Sequence, residues 1–150
     1  MEPKRILVVG GVAGGASCAA RARRLSETAE IMMFDRGEYV SFANCGLPYY
    51  VGDVIKKEKN LLMATPELFR KRFEIDVRLQ TDVLAIDREN RRIQVKDLRS
   101  GETYHESYDA LVLSPGAQPI KPQMSGVDAH GKVPLPPIPD SRLMDALTPR

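Results

Sequence analysis

The stretch RILVVGGVAGGASCAARARRLSE, residues 5–27, is the most informative part of this sequence about its structure. Its first part, RILVV, is short, branched and apolar, which is typical of a strand buried on both faces of a parallel sheet. Glycines follow at once, and small residues then alternate with arginines at helical spacing. EIMMFD, residues 30–35, has the pattern of a second buried strand that ends in an acid. Strand, glycine turn, helix and strand together predict a βαβ unit.

The glycines of the turn indicate a nucleotide. Gly10 ends the first strand, and Gly14 and Gly15 begin the helix. Such glycines let the backbone turn sharply and let a pyrophosphate approach the helix N-terminus, whose free N–H groups bind anions. Gly15 also permits close packing of helix and strand. Val12 stands where the strict G-x-G-x-x-G pattern has its second glycine. A glycine turn that starts a helix without binding a nucleotide is therefore an alternative.

Asp35 supports the nucleotide interpretation because of its position. An acid at the end of the second strand can accept hydrogen bonds from both ribose hydroxyls of an adenosine. The alternative is a turn-forming residue at a strand end.

The rest of the chain predicts further elements. TPELFRKRF, residues 65–73, predicts a helix with Thr65 as N-cap and Pro66 in its first turn. From residue 76 the apolar period changes to two, and the segments DVRL, DVLAID, RIQVKDL and ETYHESY predict an antiparallel meander. ALVLSPGA, residues 110–117, is again an apolar strand stopped by proline and glycine.

Composition excludes several classes of protein. The formal net charge of +2 comes from interspersed acids and bases, so we expect neither a nucleic-acid partner nor a charged tail. No apolar stretch approaches a membrane span, and we expect a cytoplasmic globular domain that binds no membrane. The two histidines, His105 and His130, lie in separate segments and offer no metal spacing. We therefore expect no metal.

The stretch SFANCGLPYYVG, residues 41–52, holds the more reactive of the two cysteines. Cys45 comes just before the helix turn GLPYYV, where free N–H groups can face the sulfur and favour the thiolate. Residues 46–52 contain no second cysteine, so an oxidised partner must come from a substrate thiol, a persulfide sulfur or oxygen. An inert packed thiol is the alternative. Cys18 lies among alanines of the first helix, where we expect a structural role.

The elements follow the order expected of an FAD-binding domain: a βαβ unit, then a meander, then an apolar strand. Four motifs make this resemblance more specific. GGVAGGASCAARARRL, SFANCGLPYYVG, TPELF and ESYDALVLSPGA resemble the FAD-dependent pyridine nucleotide-disulfide oxidoreductases. The sequence is most similar to the single-cysteine branch of coenzyme A-disulfide reductases, NADH-dependent persulfide reductases and NADH oxidases, in which valine at position 12 is usual. The resemblance implies an α/β, Rossmann-like FAD-binding domain with a parallel sheet and an antiparallel meander.

The same resemblance implies domain bounds. Residues 1–117 would be the N-terminal portion of the FAD-binding domain. The proline-rich residues 118–150 would be a linker with a terminal helix, leading toward an NAD(P)H domain that this sequence lacks. Because no hydride-donor site is included, we expect that these 150 residues alone do not turn over NADH.

Roles for single residues also follow from the resemblance. Cys45 would be the redox nucleophile beside the flavin. The implied cofactor-binding positions are Gly10, Gly11, Val12, Ala13, Gly14, Gly15, Asp35, Arg36, Val83, Ser114 and Gly116. The implied substrate-binding positions are Ser17, Arg21, Arg24, Ser41 and Asn44. Without the resemblance, Ser17, Arg21 and Arg24 could equally form a solvated face of the helix. Ser41 and Asn44 could equally be turn-forming residues.

The implied function is reduction of disulfide, persulfide or polysulfide sulfur with electrons from NADH or NADPH, in a homodimer. The thiol partner would be a small molecule, with coenzyme A as a candidate. Phe73 stands where coenzyme A-disulfide reductases place a lysine, which mildly favours a persulfide or polysulfide. Two alternatives stay open: an NADH oxidase that cycles Cys45 through sulfenic acid, and a non-catalytic nucleotide-binding module.

Overall fold

The computed structural model describes residues 3–117 and residue 123. The expected linker and terminal helix therefore lie outside the described residues, apart from that one position. Among the helices that are described, none is both long and apolar enough to cross a membrane.

The chain divides into two units. The sheet unit comprises Met1–Phe42 and Ala64–Pro115, and the cysteine unit comprises Ala43–Met63 and Gly116–Arg150. The elements in chain order are β1 (Arg5–Val9), α1 (Gly14–Leu25), β2 (Glu30–Phe34), a 3-10 helix (Asn44–Gly46), α2 (Leu47–Val51), a second 3-10 helix (Glu58–Leu61), α3 (Pro66–Phe73), β3 (Ile75–Arg78), β4 (Thr81–Asp87), β5 (Arg92–Asp97), β6 (Thr103–Ser107) and β7 (Ala110–Leu113).

A parallel sheet with the order β3-β2-β1-β7 forms the middle layer of the sheet unit. The two central strands, β1 and β2, are covered on both faces, which is why they are continuous apolar runs. Alternate residues serve opposite faces. On the helix side, Met33 packs in a cluster with Ala16 and Ala19 of α1 and Phe69 of α3. The predicted α/β architecture with a parallel sheet is thus confirmed.

The other face of the parallel sheet is covered by the antiparallel meander, with strand order β4-β5-β6. Phe34 and Leu7 from the parallel sheet pack with Ile93 and Val95 from β5. The sheet unit therefore has three layers: helices, parallel sheet and meander. The predicted meander is confirmed in its last three strands.

The segment DVRL, residues 76–79, does not belong to the meander as predicted. Residues 75–78 form β3, which pairs in parallel with β2 at the edge of the main sheet. Its period of two arises because only Ile75 and Val77 face the helices. On the meander side, Arg78 bonds to Glu106 at 2.6 Å and lies over the Phe34 ring, so a charged residue replaces an apolar one.

Arg78 illustrates how a charged group is kept between the two sheets. Burial, the largest single influence, lowers the pKa of its guanidinium. Hydrogen bonds from Arg78 to Tyr104, Glu106 and Asp76 outweigh burial and raise that pKa, so the charge is retained. The pairing joins β3 to β6 and thereby fixes the meander on the sheet.

Helix α3 begins as the sequence predicts. The Thr65 hydroxyl accepts a hydrogen bond from the Leu68 N–H at 3.3 Å, and Pro66 occupies the first turn. The helix ends where Glu74 adopts a left-handed conformation, with a φ of 50°. The N-cap and proline therefore set the start of α3, and the left-handed residue Glu74 sets its end.

Candidate functional site

The glycine turn between β1 and α1 is held by two close backbone approaches. Gly10 has a φ of +93°, and a Cβ there would lie 2.0 Å from the Ser114 carbonyl oxygen. A Cβ on Gly15 would lie 1.7 Å from the Gly10 carbonyl oxygen and 3.0 Å from Cγ1 of Val8. Only glycine fits either position, because any side chain would displace backbone. Both residues allow the helix to begin directly on the sheet.

The N-terminus of α1 opens toward solvent at this turn. Ala13 and Gly14 are exposed, and Ala13 supplies no side-chain cap. The first N–H groups of any helix lack partners within it, and they carry partial positive charge. A Cβ on Gly14 would lie 3.2 Å from the Ser114 hydroxyl oxygen, so Ser114 borders the same opening. An uncapped, side-chain-free helix start of this kind fits a diphosphate.

Asp35 is tied to the glycine turn by its carboxylate. Its Oδ2 accepts from the Gly11 N–H at 2.6 Å, and its Oδ1 accepts from the Gly37 N–H at 2.7 Å. A Cβ on Gly11 would lie 2.9 Å from Cγ2 of Val40 and 3.2 Å from Asp35 Oδ2, which explains the glycine there. The acid thus has a structural role in the chain itself, in addition to the ribose contact predicted for it.

The backbone of Asp35 is supported by the end of β3 and the start of β4. Its N–H donates to the Arg78 carbonyl at 2.9 Å, and its carbonyl accepts from the Thr81 N–H at 3.0 Å. The next residue, Arg36, is exposed and pairs with Asp82 at 3.7 Å. The start of β4 is therefore beside the predicted ribose-binding residue.

Val83 lies in β4 next to Asp82. It is half-buried and packs on the apolar cluster beneath the meander, at a bulge in the β4–β5 pairing. The structure therefore gives Val83 a packing role and brings its strand near Asp35.

The residues predicted to bind substrate are divided between the two units. Ser17, Arg21 and Arg24 are exposed along α1. Ser41 is half-buried in the sheet unit, with a φ of 50°, and its N–H donates to the Gly11 carbonyl at 2.9 Å. Asn44 belongs to the cysteine unit.

Cys45 lies within the 3-10 helix that leads into α2, and it is exposed. The helical turn thus starts at Asn44, two residues earlier than the sequence predicts, and Cys45 lies inside it rather than just before it. Gly46 explains the tight coil, because a Cβ there would lie 2.7 Å from Cδ2 of Leu61. The Ala43 N–H also donates to the Leu61 carbonyl at 2.8 Å. The thiol is accessible on a turn that the buried residues of its own unit hold in shape.

Cys18 and the two histidines are not among the predicted cofactor-binding or substrate-binding residues. Cys18 is half-buried in α1 and has a free thiol. His105 is exposed on β6, and His130 lies outside the described residues. Within residues 3–117 and at 123, no group of His, Cys, Asp and Glu could hold a metal ion.

The sheet unit brings together the predicted cofactor positions of the turn, Asp35 and Ser114. Gly116 has a φ of +75° and belongs to the cysteine unit, as do Asn44 and Cys45. Sequence reasoning missed Gly37, whose N–H orients the Asp35 carboxylate. The D-x-G spacing was the available signal, since an Asp side chain often accepts from the N–H two residues later.

Replacing Asp35 with alanine is expected to lower the free energy of unfolding by about 2 kcal/mol, because two backbone N–H groups lose their acceptor. Urea unfolding of the cofactor-free protein at neutral pH measures this loss. The matched control is Glu38→Ala, an exposed acid of the same loop, with an expected change below about 0.5 kcal/mol. Equal stability of the two variants would contradict a structural role for the Asp35 carboxylate.

A parallel sheet with a glycine turn at the start of α1 is the architecture of the Rossmann-like α/β proteins. Residues 4–140 match the family described as pyridine nucleotide-disulphide oxidoreductase. The chain belongs to this family.

Similar proteins agree with that assignment. The coenzyme A disulfide reductase of Staphylococcus haemolyticus is 42% identical over 114 residues, which cover 76% of this chain and 26% of the relative. The crystal structure of reduced Bacillus anthracis CoADR-RHD is similar with a TM-score of 0.93 and 50% identity, covering 97% of this chain and 26% of that one.

A further solved structure, a NAD-dependent persulfide reductase from A. fulgidus, has a TM-score of 0.89 and 35% identity. The likeness covers 95% of this chain and 26% of that chain. The present chain therefore spans about a quarter of the length of the curated relatives it matches.

Proposed function

We propose that this chain is part of an FAD-dependent oxidoreductase that reduces disulfide, persulfide or polysulfide sulfur with NADH or NADPH, through Cys45. The observation that carries the proposal is an accessible thiol at a helical turn, in a family member whose sheet unit has a nucleotide-type glycine turn. The names of the similar proteins, a coenzyme A disulfide reductase and a persulfide reductase, support sulfur as the acceptor.

The residues of the sheet unit suit the adenosine diphosphate half of FAD. The uncapped start of α1 would hold the diphosphate, with Ser114 at its border. Asp35 keeps unused lone pairs on both carboxylate oxygens, so it could accept from ribose hydroxyls while it holds Gly11 and Gly37. When bound, FAD would supply the two electrons that reduction of a sulfur–sulfur bond requires.

Cys45 would carry out the sulfur chemistry. Its thiolate attacks one sulfur of the substrate, the sulfur–sulfur bond breaks, and the other sulfur leaves as a thiolate. The product is a mixed disulfide between Cys45 and the retained half of the substrate. Two electrons and a proton then release that half as a thiol and restore Cys45. Since residues 46–52 contain no cysteine, no neighbouring thiol can resolve the mixed disulfide locally.

The predicted substrate-binding residues would contact the sulfur compound. Ser41 and Asn44 both precede the cysteine closely in sequence, and Arg21 and Arg24 offer exposed positive charge for phosphate groups such as those of coenzyme A. We further propose that the intact protein is a homodimer.

The test uses the intact protein, meaning this sequence with any chain that follows it. We expect a flavin absorption spectrum after purification. We also expect faster NADH or NADPH oxidation with coenzyme A disulfide or glutathione persulfide than with oxygen. Faster turnover with oxygen would replace the proposal with an NADH oxidase. A protein without flavin that binds nucleotide and oxidises no NADH would replace it with a non-catalytic module.

A further inference from the structure

Arg23, in the last turn of α1, contacts the ends of two helices. Its Nε donates to the Phe73 carbonyl at 2.7 Å, and its Nη2 donates to the Glu74 carbonyl at 3.0 Å, both at the end of α3. Its Nη1 donates to the carbonyls of Ser26 at 3.1 Å and Glu27 at 2.7 Å, just beyond α1. One guanidinium therefore satisfies four backbone carbonyls from two parts of the chain.

The chemistry of these contacts suits arginine in particular. The last carbonyls of a helix lack partners within it and carry partial negative charge. A planar guanidinium has donors on three nitrogens that point in different directions, whereas a lysine has a single nitrogen. Arg23 is half-buried, so loss of its contacts would leave partly desolvated carbonyls unpaired. Arg23 thus fastens the C-terminal turn of α1 to that of α3.

Different contacts hold the two ends of α1 in place. At the N-terminus, Gly15 lies directly against the Gly10 carbonyl. At the C-terminus, the hydrogen bonds from Arg23 hold the helix in place. The exposed Arg21 and Arg24 lie in this second half of the helix, and Arg24 is adjacent in sequence.

We propose that Arg23 is a positioning residue for substrate. It holds the C-terminal turn of α1 so that Arg21 and Arg24 meet the phosphate groups of a nucleotide-bearing disulfide. This inference rests on the substrate role proposed above for those two arginines.

The first measurement is amide hydrogen exchange of the intact protein without substrate, for Arg23→Gln, Arg23→Lys and the control Arg99→Gln. Arg99 is an exposed arginine of the β5–β6 turn. In Arg23→Gln we expect exchange to rise about tenfold in residues 20–27 and 70–75, with β1 and β2 unchanged. Arg23→Lys should lie between wild type and Arg23→Gln, and Arg99→Gln should match wild type in these segments. A rise throughout the parallel sheet would overturn the proposal, because Arg23 would then be a general stability residue.

The second measurement separates positioning from stability. In Arg23→Gln we expect the KM for coenzyme A disulfide to rise about tenfold, with kcat and flavin content close to wild type. The KM for glutathione persulfide, which carries no nucleotide, should not change. If Arg23→Gln showed faster exchange in these segments but an unchanged KM for coenzyme A disulfide, the positioning role would be overturned. If the wild-type protein does not reduce coenzyme A disulfide, the proposed substrate fails and the positioning role fails with it. The exchange data still decide whether Arg23 joins the two helices.

Discussion

Replacing Cys45 with serine in the intact protein is expected to lower kcat/KM for disulfide or persulfide reduction by roughly 10³-fold or more, as removal of a nucleophile does. Serine keeps nearly the same size, and position 45 is exposed, so the fold should not change. A serine hydroxyl is a far weaker nucleophile at neutral pH than a thiolate. Flavin content should stay at the wild-type level. Steady-state NADH oxidation with each sulfur compound measures the loss.

The matched control is Cys18→Ser, which changes the other thiol of the chain. Cys18 is half-buried in α1, and we expect its serine variant to keep activity within about twofold. Alkylation adds an independent comparison, since the exposed Cys45 should react with iodoacetamide at neutral pH much faster than Cys18. Full activity in the Cys45 variant, or loss of activity confined to the Cys18 variant, would contradict the proposed role of Cys45.

Replacing Gly15 with alanine is expected to destabilise the sheet unit by more than the ~1–3 kcal/mol usual for an overpacked core. The new Cβ would lie 1.7 Å from the Gly10 carbonyl oxygen, and the clash is with backbone rather than with a movable side chain. Relief requires α1 to move away from β1, which would open the packing of Ala16 and Ala19 on the sheet. We expect a sharp fall in soluble yield and in the thermal midpoint of the cofactor-free protein, followed by circular dichroism.

Gly14→Ala is the matched control, because both residues lie in the first turn of α1 and gain the same helix propensity from alanine. Its Cβ would lie 3.2 Å from the Ser114 hydroxyl oxygen, which can rotate away, and 3.6 Å from the Ser114 Cβ, which is an ordinary contact distance. We expect a change within about 1 kcal/mol for this variant. Similar thermal midpoints for the two variants would show that the close approach of Gly15 to Gly10 does not govern stability.

Much of the fold could be predicted because its causes are local. The apolar runs of β1 and β2, the glycines between β1 and α1, and the Thr65–Pro66 start of α3 each act through neighbouring residues. The exception is β3. A period of two describes an edge strand of the parallel sheet as well as a strand of the meander, and only the pairing partner tells them apart. That partner, β2, is distant in sequence.

The candidate site was predictable in outline and not in detail. The glycine pattern pointed to an anion-binding turn, and the turn begins an uncapped helix. The pattern did not indicate that Gly10 lies against Ser114, or that the Asp35 carboxylate accepts from the Gly11 amide. Such contacts depend on where separate segments meet in space.

The order of residues alone was enough to predict most of the strands and helices, the glycine turn between β1 and α1, and a cysteine without a neighbouring thiol. These follow from side-chain volume, backbone freedom and short-range periodicity. The packed chain was needed to assign β3 to the parallel sheet, to find the bond between Asp35 and Gly11, and to find the bonds from Arg23 to the end of α3. Asp35 and Gly11 are 24 positions apart and Arg23 and Glu74 are 51 apart, and such partners become neighbours only when the sheet and helices have packed.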